Sequence, residues 1–377
     1  MKFIHLSDLH LGKRVNEFSM TEDQQFILTR IINIIDEEEP DGVLIAGDVY
    51  DRSVPSEEAM QLWDDFLLRL KERSLQVFVI SGNHDSQVRL SLHEQLIEGT
   101  GIHISPVYNG QVKCISLKDG FGCVNVYMLP FVKPVNVRQF FDEDISSYTD
   151  AVRCAIAHMG VDAGERNVLM AHQFITGAGR CDSEEINVGG LDNVDASVFD
   201  DFDYVALGHI HGSQHIMRDT IRYCGTPLKY SLSEKDQVKS VTVVELKEKG
   251  SVDIREIPLI PKHDLREISG TYAELTLREN YTGTATDDYL HVVLTDEEDV
   301  PDAMAKLRLI YPNIMGIEYR NRRTMSSSSV TDAADIDNKS PLELLDELYE
   351  KQNNQPMSSV QRELAAGLID SIWGGDV

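Results

Sequence analysis

The sequence predicts an α/β sandwich, joined to a smaller α/β module and a C-terminal helical tail. Three observations predict it. Short apolar runs alternate with amphipathic helical patterns over residues 1–260, a second and shorter alternation follows a proline-flanked boundary, and a Ser/Thr/Asp-rich stretch then precedes two more amphipathic patterns.

The strands come first. Lys2–Ser7, Val43–Ala46, Val77–Ile80, Val168–Ala171 and Tyr204–Leu207 are each long enough for one buried strand and too short for a helix. Between them, Thr21 and Gln24 form an expected capping box ahead of Phe26, Leu28, Ile31, Ile32 and Ile35. Pro55-Ser56 opens a second helix with Met60, Trp63, Phe66, Leu67 and Leu70 on one face. Ser240–Leu246 and Val252–Ile257 read as paired strands, and Pro258, Pro261 and the charged stretch Lys262–Arg266 mark a boundary, so the first domain is expected at 1–260. In 261–321 the pattern gives a strand near Leu265–Ile268, a helix opening at Thr271, a strand at Tyr289–Leu294, a helix from Asp302 to Tyr311 and a strand at Ile314–Tyr319.

Residues 322–339 have few apolar side chains and read as a flexible linker. The tail, 340–377, begins at Ser340-Pro341 with Leu342, Leu345, Leu348 and Tyr349 on one stripe, followed by a second helix carrying Val360, Leu364, Leu368, Ile369, Ile372 and Trp373. Isolated helices of this length are marginal in water, so the stripes need either the chain's own core or a partner surface; the linker before them favours a partner.

Five of the apolar runs lead into side chains able to ligate metal: Asp8-Leu9-His10, Gly47-Asp48, Gly82-Asn83-His84-Asp85, His172, and Gly208-His209-Ile210-His211. Only oxygen and imidazole donors occur, which suits Mn, Fe or Zn and not a thiolate-rich structural site. Singly these motifs are weak. Asp-x-His arises by chance, Gly-Asp is a common turn, His84 could cap a helix, and His209 and His211 could alternate along a strand face. Their conjunction after successive strands is what points to a dinuclear centre. The remaining histidines, His5, His93, His103, His158, His215, His263 and His291, read as structural or surface residues.

Taken together, these motifs resemble the calcineurin-like metallophosphoesterase superfamily. Within it, Ala46–Asp51, Phe202–His211 and Cys224–Ser231 resemble bacterial nuclease subunits of the SbcD type, counterparts of the Mre-type DNA-repair nucleases. The likeness spans the chain and is most specific up to Leu246; it departs at Asp51, where some archaeal relatives carry a histidine. The resemblance implies two divalent ions, Mn foremost with Mg, Fe and Zn as alternatives. One would be held by Asp8, His10, Asp48 and His211, the other by Asp48, Asn83, His172 and His209. His84 would be a catalytic residue outside the ligand set, steadying phosphoryl oxygens or protonating the leaving alkoxide, with Asp85 either orienting it or capping the following helix.

The resemblance also implies a nuclease acting on duplex ends, single strands and hairpins. It would work with an SbcC-like ABC-type ATPase whose long coiled coil is gripped at its base by the tail, while the module at 261–321 caps the site. A homodimer would form through the helix after Gly47-Asp48 and the segment with Leu90, Leu92 and Leu96, leucines that could equally be core. A stand-alone phosphatase or nucleotide phosphodiesterase is the alternative reading. A non-catalytic scaffold is a third, against which the full ligand set counts.

Composition bounds the rest. At 377 residues and 42% hydrophobic the chain can bury a substantial core in two or more units. Five cysteines with no C-x-x-C pair are expected to be reduced thiols of a cytoplasmic protein. The chain opens directly on a strand, and no apolar run approaches the ~18 residues of a membrane span, so neither signal peptide nor membrane segment is expected. A net charge of -28 counts against a broad DNA-binding face. Lys13, Arg14, Arg52, Arg89 and Lys229 are the candidate phosphate contacts, which implies weak intrinsic DNA affinity with a partner supplying much of the grip. No G-x-x-x-x-G-K-[ST] occurs, so ATP binding would come from that partner.

Overall fold

Strands β1 (Lys2–Leu6), β2 (Gly42–Ala46), β3 (Gln76–Ile80) and β4 (Ile102–Ile104) run parallel, as suits apolar runs covered on both faces. The computed structural model describes residues 1–92, 94–97, 99–184, 192–321, 324, 340–353 and 355–373. It divides into two units, Met1–Asp264 and Leu265–Val377, the division falling four residues past the boundary expected at 260.

The first unit continues with the hairpin β5 (Lys113–Asp119) and β6 (Gly122–Met128), then β7 (Arg166–His172), β8 (Tyr204–Gly208), β9 (Gln214–Ile216), β10 (Arg218–Tyr223), β11 (Ser240–Leu246) and β12 (Val252–Pro258). They form two six-stranded sheets, ordered β12-β11-β1-β2-β3-β4 and β9-β10-β8-β7-β6-β5. Phe3, Leu44, Phe78 and Ile80 of the first sheet share a core with Val126, Met128, Val168, Met170 and Tyr204 of the second. Because side chains alternate along a strand, the intervening Leu169, Ala171, Val205 and Leu207 face a second core, shared with Val152 and Ile156 of a helix at Tyr148–Ala157. The α/β sandwich read from the sequence is the fold.

Two helices differ in detail from expectation. The first, α1 (Thr21–Glu38), starts one residue earlier than a Thr21 cap would allow: Met20 is the N-cap and no side chain caps it. Gln24 is turned into the protein instead, and Ile27 is buried while Phe26 is exposed. The second, α2 (Glu57–Glu72), is capped by Ser56, whose Oγ accepts from Ala59 N at 3.3 Å. Its buried face is Ala59, Trp63, Phe66 and Leu70; Met60 points outward and Leu67 is half-buried. Leu90 is core, Leu92 is exposed, and the Leu96 side chain lies outside what is described.

The second unit has a three-stranded parallel sheet of Leu265–Gly270, Tyr289–Leu294 and Ile314–Tyr319, with Leu290, Val292, Leu294, Leu307 and Ile314 in its core. Thr271 and Glu274 make a reciprocal capping box for a short helix at Tyr272–Thr276. The helix expected from Asp302 to Tyr311 is confined to Ala303–Leu307. The expected linker lies outside the described residues apart from Thr324. Beyond it, helices Pro341–Asn353 and Ser359–Trp373 are opened by Ser340 and Ser358, and Arg362 Nε donates to Asp346 Oδ2 at 2.7 Å to join them. Leu348, Val360, Leu364 and Leu368 are exposed. No helix among the described residues is long and apolar enough to cross a membrane.

The two sheets of the first unit come into tight contact at the carboxyl ends of β2 and β8. A Cβ on Gly208 would overlap Ala46 O, one on Gly47 (φ 91) would overlap the His172 ring, and one on Gly82 would overlap Asp48. Gly208→Ala is therefore expected to destabilise the protein by about 3 kcal/mol, the upper range for overpacking a tight interior. Gly120→Ala, where a Cβ meets open space, should stay within about 0.5 kcal/mol of wild type. Urea unfolding midpoints compare the two, and equal midpoints would mean that the sheets are not pressed together there.

Candidate metal centre

Every motif loop leaves the carboxyl end of a strand and bends at once, as in open α/β sheets generally. Asp8 (φ 52), His10 (φ 45), Asp48 (φ 49) and His209 (φ 101) all adopt left-handed backbone, a costly conformation for residues with side chains. The loops after β1 and β2 hold one another there: Asp8 N donates to Gly47 O at 3.0 Å, His10 N to Asp48 O at 3.0 Å and Leu11 N to Val49 O at 2.9 Å. Gln24 completes the clamp. Its Nε2 donates to His10 O at 2.7 Å and to Tyr230 Oη at 3.1 Å, and its Oε1 accepts from Gly12 N at 2.9 Å. Tyr230 Oη in turn donates to Leu9 O at 2.7 Å.

Seven predicted ligand residues converge. His10 Nε2 lies 3.2 Å from His211 Nε2 and 3.8 Å from Asp48 Oδ2. His172 Nε2 lies 3.3 Å from Asp48 Oδ2, 4.0 Å from Asp8 Oδ1 and 3.0 Å from Asn83 Oδ1. Asn83 Oδ1 is also 2.9 Å from His209 Nδ1. Asp8, Asp48 and His172, and again Asp8, His10 and His211, bring donor atoms within 4.8 Å of one another. His84 joins His10 and Asp48 in a third such group, its Nε2 4.0 Å from Asp48 Oδ2.

Hydrogen bonds on the far side of two imidazoles, His172 and His211, fix the tautomers of their neutral forms. A peptide carbonyl can only accept, so His172 Nδ1 donates to Ala46 O at 2.8 Å and its Nε2 presents a lone pair inward. Ser183 gives its single proton to Glu234 Oε1 at 2.6 Å, so its oxygen accepts from His211 Nδ1 at 2.7 Å, and His211 Nε2 likewise presents a lone pair. In their neutral forms His172 and His211 thus turn lone pairs toward the carboxylates of Asp48 and Asp8. Burial opposes protonation of His172, yet Asp48 and Asp8 beside it lift its pKa to about 9, and the same negative field favours a cation. Burial opposes the charge on Asp48, but His172, His10 and His84 hold its carboxyl well below the usual range. Burial, with His172 nearby, lowers His209 to about 3. The residues fit divalent cations.

Asp85 plays neither role expected of it. Ser86 caps the short helix that follows, accepting from Arg89 N at 3.4 Å. Asp85 instead accepts from Gly82 N, Val49 N and Tyr50 N at 2.9, 3.1 and 2.9 Å, tying the β2 and β3 loops together. Burial and then Asp48 push its pKa up to about 6, against those three donors.

A model of the calcineurin-like phosphoesterase family matches residues 1–213. The chain belongs to this family. Within it the chain groups with the SbcD nucleases: it is 31% identical to the SbcD component of the SbcCD nuclease of Staphylococcus epidermidis over 99% of both chains. A further model, described as the type 5 capsule protein repressor C-terminal domain, matches residues 261–353. Among solved structures, a dimetal phosphatase from Danio rerio matches at 10% identity and TM-score 0.43, covering 69% of this chain and 96% of that one. A protein of Thermus thermophilus matches at 11% identity and TM-score 0.39, covering 68% and 98%. Likeness at that level adds nothing to the assignment.

The basic residues fall into two sets. Lys13 Nζ pairs with Asp51 Oδ1 at 2.8 Å, and Lys229 Nζ pairs with Asp264 Oδ1 at 2.9 Å and donates to Lys235 O; both ammonium groups are turned inward. Arg14, Arg52 and Arg89 are exposed. Arg14 and Arg52 line a cleft of about 490 Å³ with Gly12, Asp51 and Pro55, beside the metal centre. Asn83 and His209 line a smaller cavity of about 90 Å³ with Phe131, Lys133 and Gln173. A separate group, Glu143, Cys154 and His158, is accounted for structurally: His158 Nδ1 donates to Cys154 O at 2.9 Å and its ring stacks on Phe141.

Sequence reasoning did not single out Ser183, Glu234 or Tyr230 as functional, and it read Gln24 only as a cap. Tyr230 lay inside a stretch that the resemblance singled out. Ser183 and Glu234 carry no local pattern.

Proposed function

We propose that this chain is a DNA nuclease that hydrolyses phosphodiesters with two divalent cations, Mn foremost, in partnership with an ABC-type ATPase subunit. The observation that carries this reading is the inward-facing cluster of imidazole lone pairs and carboxylate oxygens around Asp48. Asp8, His10, Asp48 and His211 would hold one ion and Asp48, Asn83, His172 and His209 the other. When bound, such a pair supplies positive charge for the phosphodiester oxygens and makes hydroxide available near neutral pH.

The chain's own residues do the rest. Asp48 lies between the two donor groups and stays ionised. His84 donates Nδ1–H to Asp51 O at 3.0 Å, which leaves Nε2 facing the centre; as imidazolium, with a second proton on Nε2, it can steady a phosphoryl oxygen or hand that proton to the leaving alkoxide. Arg14 and Arg52 in the adjacent cleft are suited to phosphate contacts, whereas Lys13 and Lys229 are engaged elsewhere. The name of the Staphylococcus relative supports action on nucleic acid within a two-component complex. Duplex ends, single strands and hairpins are the proposed substrates.

The remaining parts have proposed roles of their own. The three-stranded module governs access of DNA. The exposed leucines of the two terminal helices dock on the coiled-coil base of the ATPase. Val88 and Leu92, both exposed, belong to a homodimer face within a heterotetramer. Five free thiols suit a reducing cytoplasm. Mn-dependent cleavage of linear duplex DNA, compared with a generic phosphatase substrate, tests the reading, and activity on the second alone would point to a stand-alone phosphatase.

Asp48→Asn should lose both ions and nearly all turnover, measured as metal content of the purified protein together with cleavage rate. Two retained ions with near-normal rate would remove the bridging role. His84→Gln should keep its metal and bind DNA normally while cleaving about 100-fold more slowly, the usual scale for a general acid; loss of metal would make His84 a ligand. Deleting Ser340–Val377 should spare metal content and cleavage of single strands but abolish co-purification with the ATPase. Undiminished co-purification would show that the terminal helices are not the docking element.

A further inference from the structure

Two recesses flank the centre. The cleft with Arg14 and Arg52 lies past Gly12 and Asp51. The other is the cavity of about 90 Å³ walled in part by Asn83 and His209, and its mouth carries two cations. Lys133 is exposed, and its ammonium group, 5.9 Å from the centre of the Phe131 ring, has no ion pair among the described residues. Arg180 is packed over Phe174, its guanidinium carbon 3.5 Å from the centre of that ring. Its ion-pair partner, Asp192 Oδ1, is 4.0 Å from Nη2, too far for a hydrogen bond.

Arg180 is held at this mouth by the residues on either side of it. Gly179 N donates to Gln214 Oε1 at 2.8 Å, and Gly179 O accepts from Gln214 Nε2 at 2.9 Å. Cys181 N donates to Glu184 Oε2 at 3.0 Å, and Asp182 N to Ser233 Oγ at 2.9 Å. Glu184 Oε1 accepts from His211 N at 2.7 Å, which ties the loop to the backbone of the last motif. A guanidinium fixed against a ring keeps its N–H edges directed outward, the arrangement that grips a phosphate, and has little freedom left to lose on binding. One carboxylate against two cations leaves the mouth net positive, in a chain where acids outnumber bases 63 to 35.

Behind these cations the wall is aromatic. Phe131 and Tyr148 are half-buried and Phe174 is buried. Gln173, also in the wall, donates Nε2 to Val132 O at 3.0 Å, while its buried Oε1 has no hydrogen-bond partner among the described residues. A nucleobase offers both the flat face that such rings take and the N–H groups that such an acceptor lacks. The space is too narrow for a base pair. We propose that this mouth is a contact site for single-stranded nucleic acid, at which Arg180 and Lys133 hold a backbone phosphate and Phe131 stacks on the base beside it. The strand then passes the centre with Arg14 and Arg52 on one flank and Arg180 and Lys133 on the other. This proposal rests on the nuclease reading above.

The test is Mn-dependent cleavage of a labelled oligothymidylate by the full-length protein, with KM and kcat measured over a range of salt. Arg180→Ala and Lys133→Ala should each raise KM about 10-fold and change kcat far less, because each removes a charge-assisted contact made by the bound strand throughout the reaction. Each should also flatten the dependence of log KM on log salt by about 0.7, the increment for one phosphate contact on a single strand. Arg180→Lys keeps the charge, so it should keep the salt slope while recovering only part of the KM. Phe131→Leu should raise KM about 10-fold with the slope intact, as loss of a stacking contact does. Bis(p-nitrophenyl) phosphate has no neighbouring nucleotide and separates a strand contact from damage to the centre. For the two charge variants, the loss on the oligonucleotide should exceed the loss on this ester by about 10-fold. Equal losses on both substrates, or an unaltered salt slope in the alanine variants, would overturn the proposal and leave the nuclease reading standing. Wild-type hydrolysis of the ester without cleavage of any DNA would overturn the nuclease reading itself.

Discussion

The contact between His172 and Ala46 O is the constraint on which the rest of the first unit depends. It joins the ends of two strands that belong to different sheets, at a place where Gly47, Gly82 and Gly208 leave no room for a side chain. Apolar cores elsewhere in the sandwich would tolerate small shifts of one sheet on the other. This junction would not, because the same imidazole that donates to Ala46 O turns its other nitrogen to Asp48 and Asn83. Sheet packing and ligand geometry are therefore a single requirement at this junction.

The electrostatic design is local. A chain of net charge -28 still concentrates its buried acids where each has a partner: Asp48 among imidazoles, Glu234 on Lys239, and Asp85 on three backbone amides. Buried carboxylates without such partners would be driven to the neutral form. The acidic surplus thus lies largely at exposed positions, and the exposed Arg14 and Arg52 line the cleft beside the centre.

Much of this could be read from the residues alone because strands buried on both faces announce themselves as apolar runs, and the donors sit immediately after them. Lys2–Leu6, Gly42–Ala46, Gln76–Ile80 and Tyr204–Gly208 lie where the runs placed them. What stayed hidden depends on partners distant in the chain. Gln24 satisfies a capping pattern, yet its carboxamide is used by His10 and by Tyr230, 206 residues away. Asp85 sits one residue ahead of a helix and looks like a cap, but its acceptors are claimed by the preceding loop and by Val49 and Tyr50. Ser183 and Glu234 are 51 residues apart and acquire meaning only through His211. Face assignments on α2 erred by one position, at Met60, because Ala59 is small enough to pass unnoticed in a hydrophobic pattern.

The pairing of β1 has a consequence for how the protein is made. Its first strand lies between β2, which follows within 46 residues, and β11, whose Glu245 pairs with Lys2. At a synthesis rate of ~5–20 residues per second, the outer edge of β1 waits roughly 12–50 s for its neighbour. During that interval the edge is bare, and the loop bearing Asp8 and His10 lacks His172, His209 and His211 in turn. A nascent or prematurely terminated chain therefore cannot assemble the centre, and hydrolytic chemistry is withheld until nearly the whole sandwich has left the ribosome.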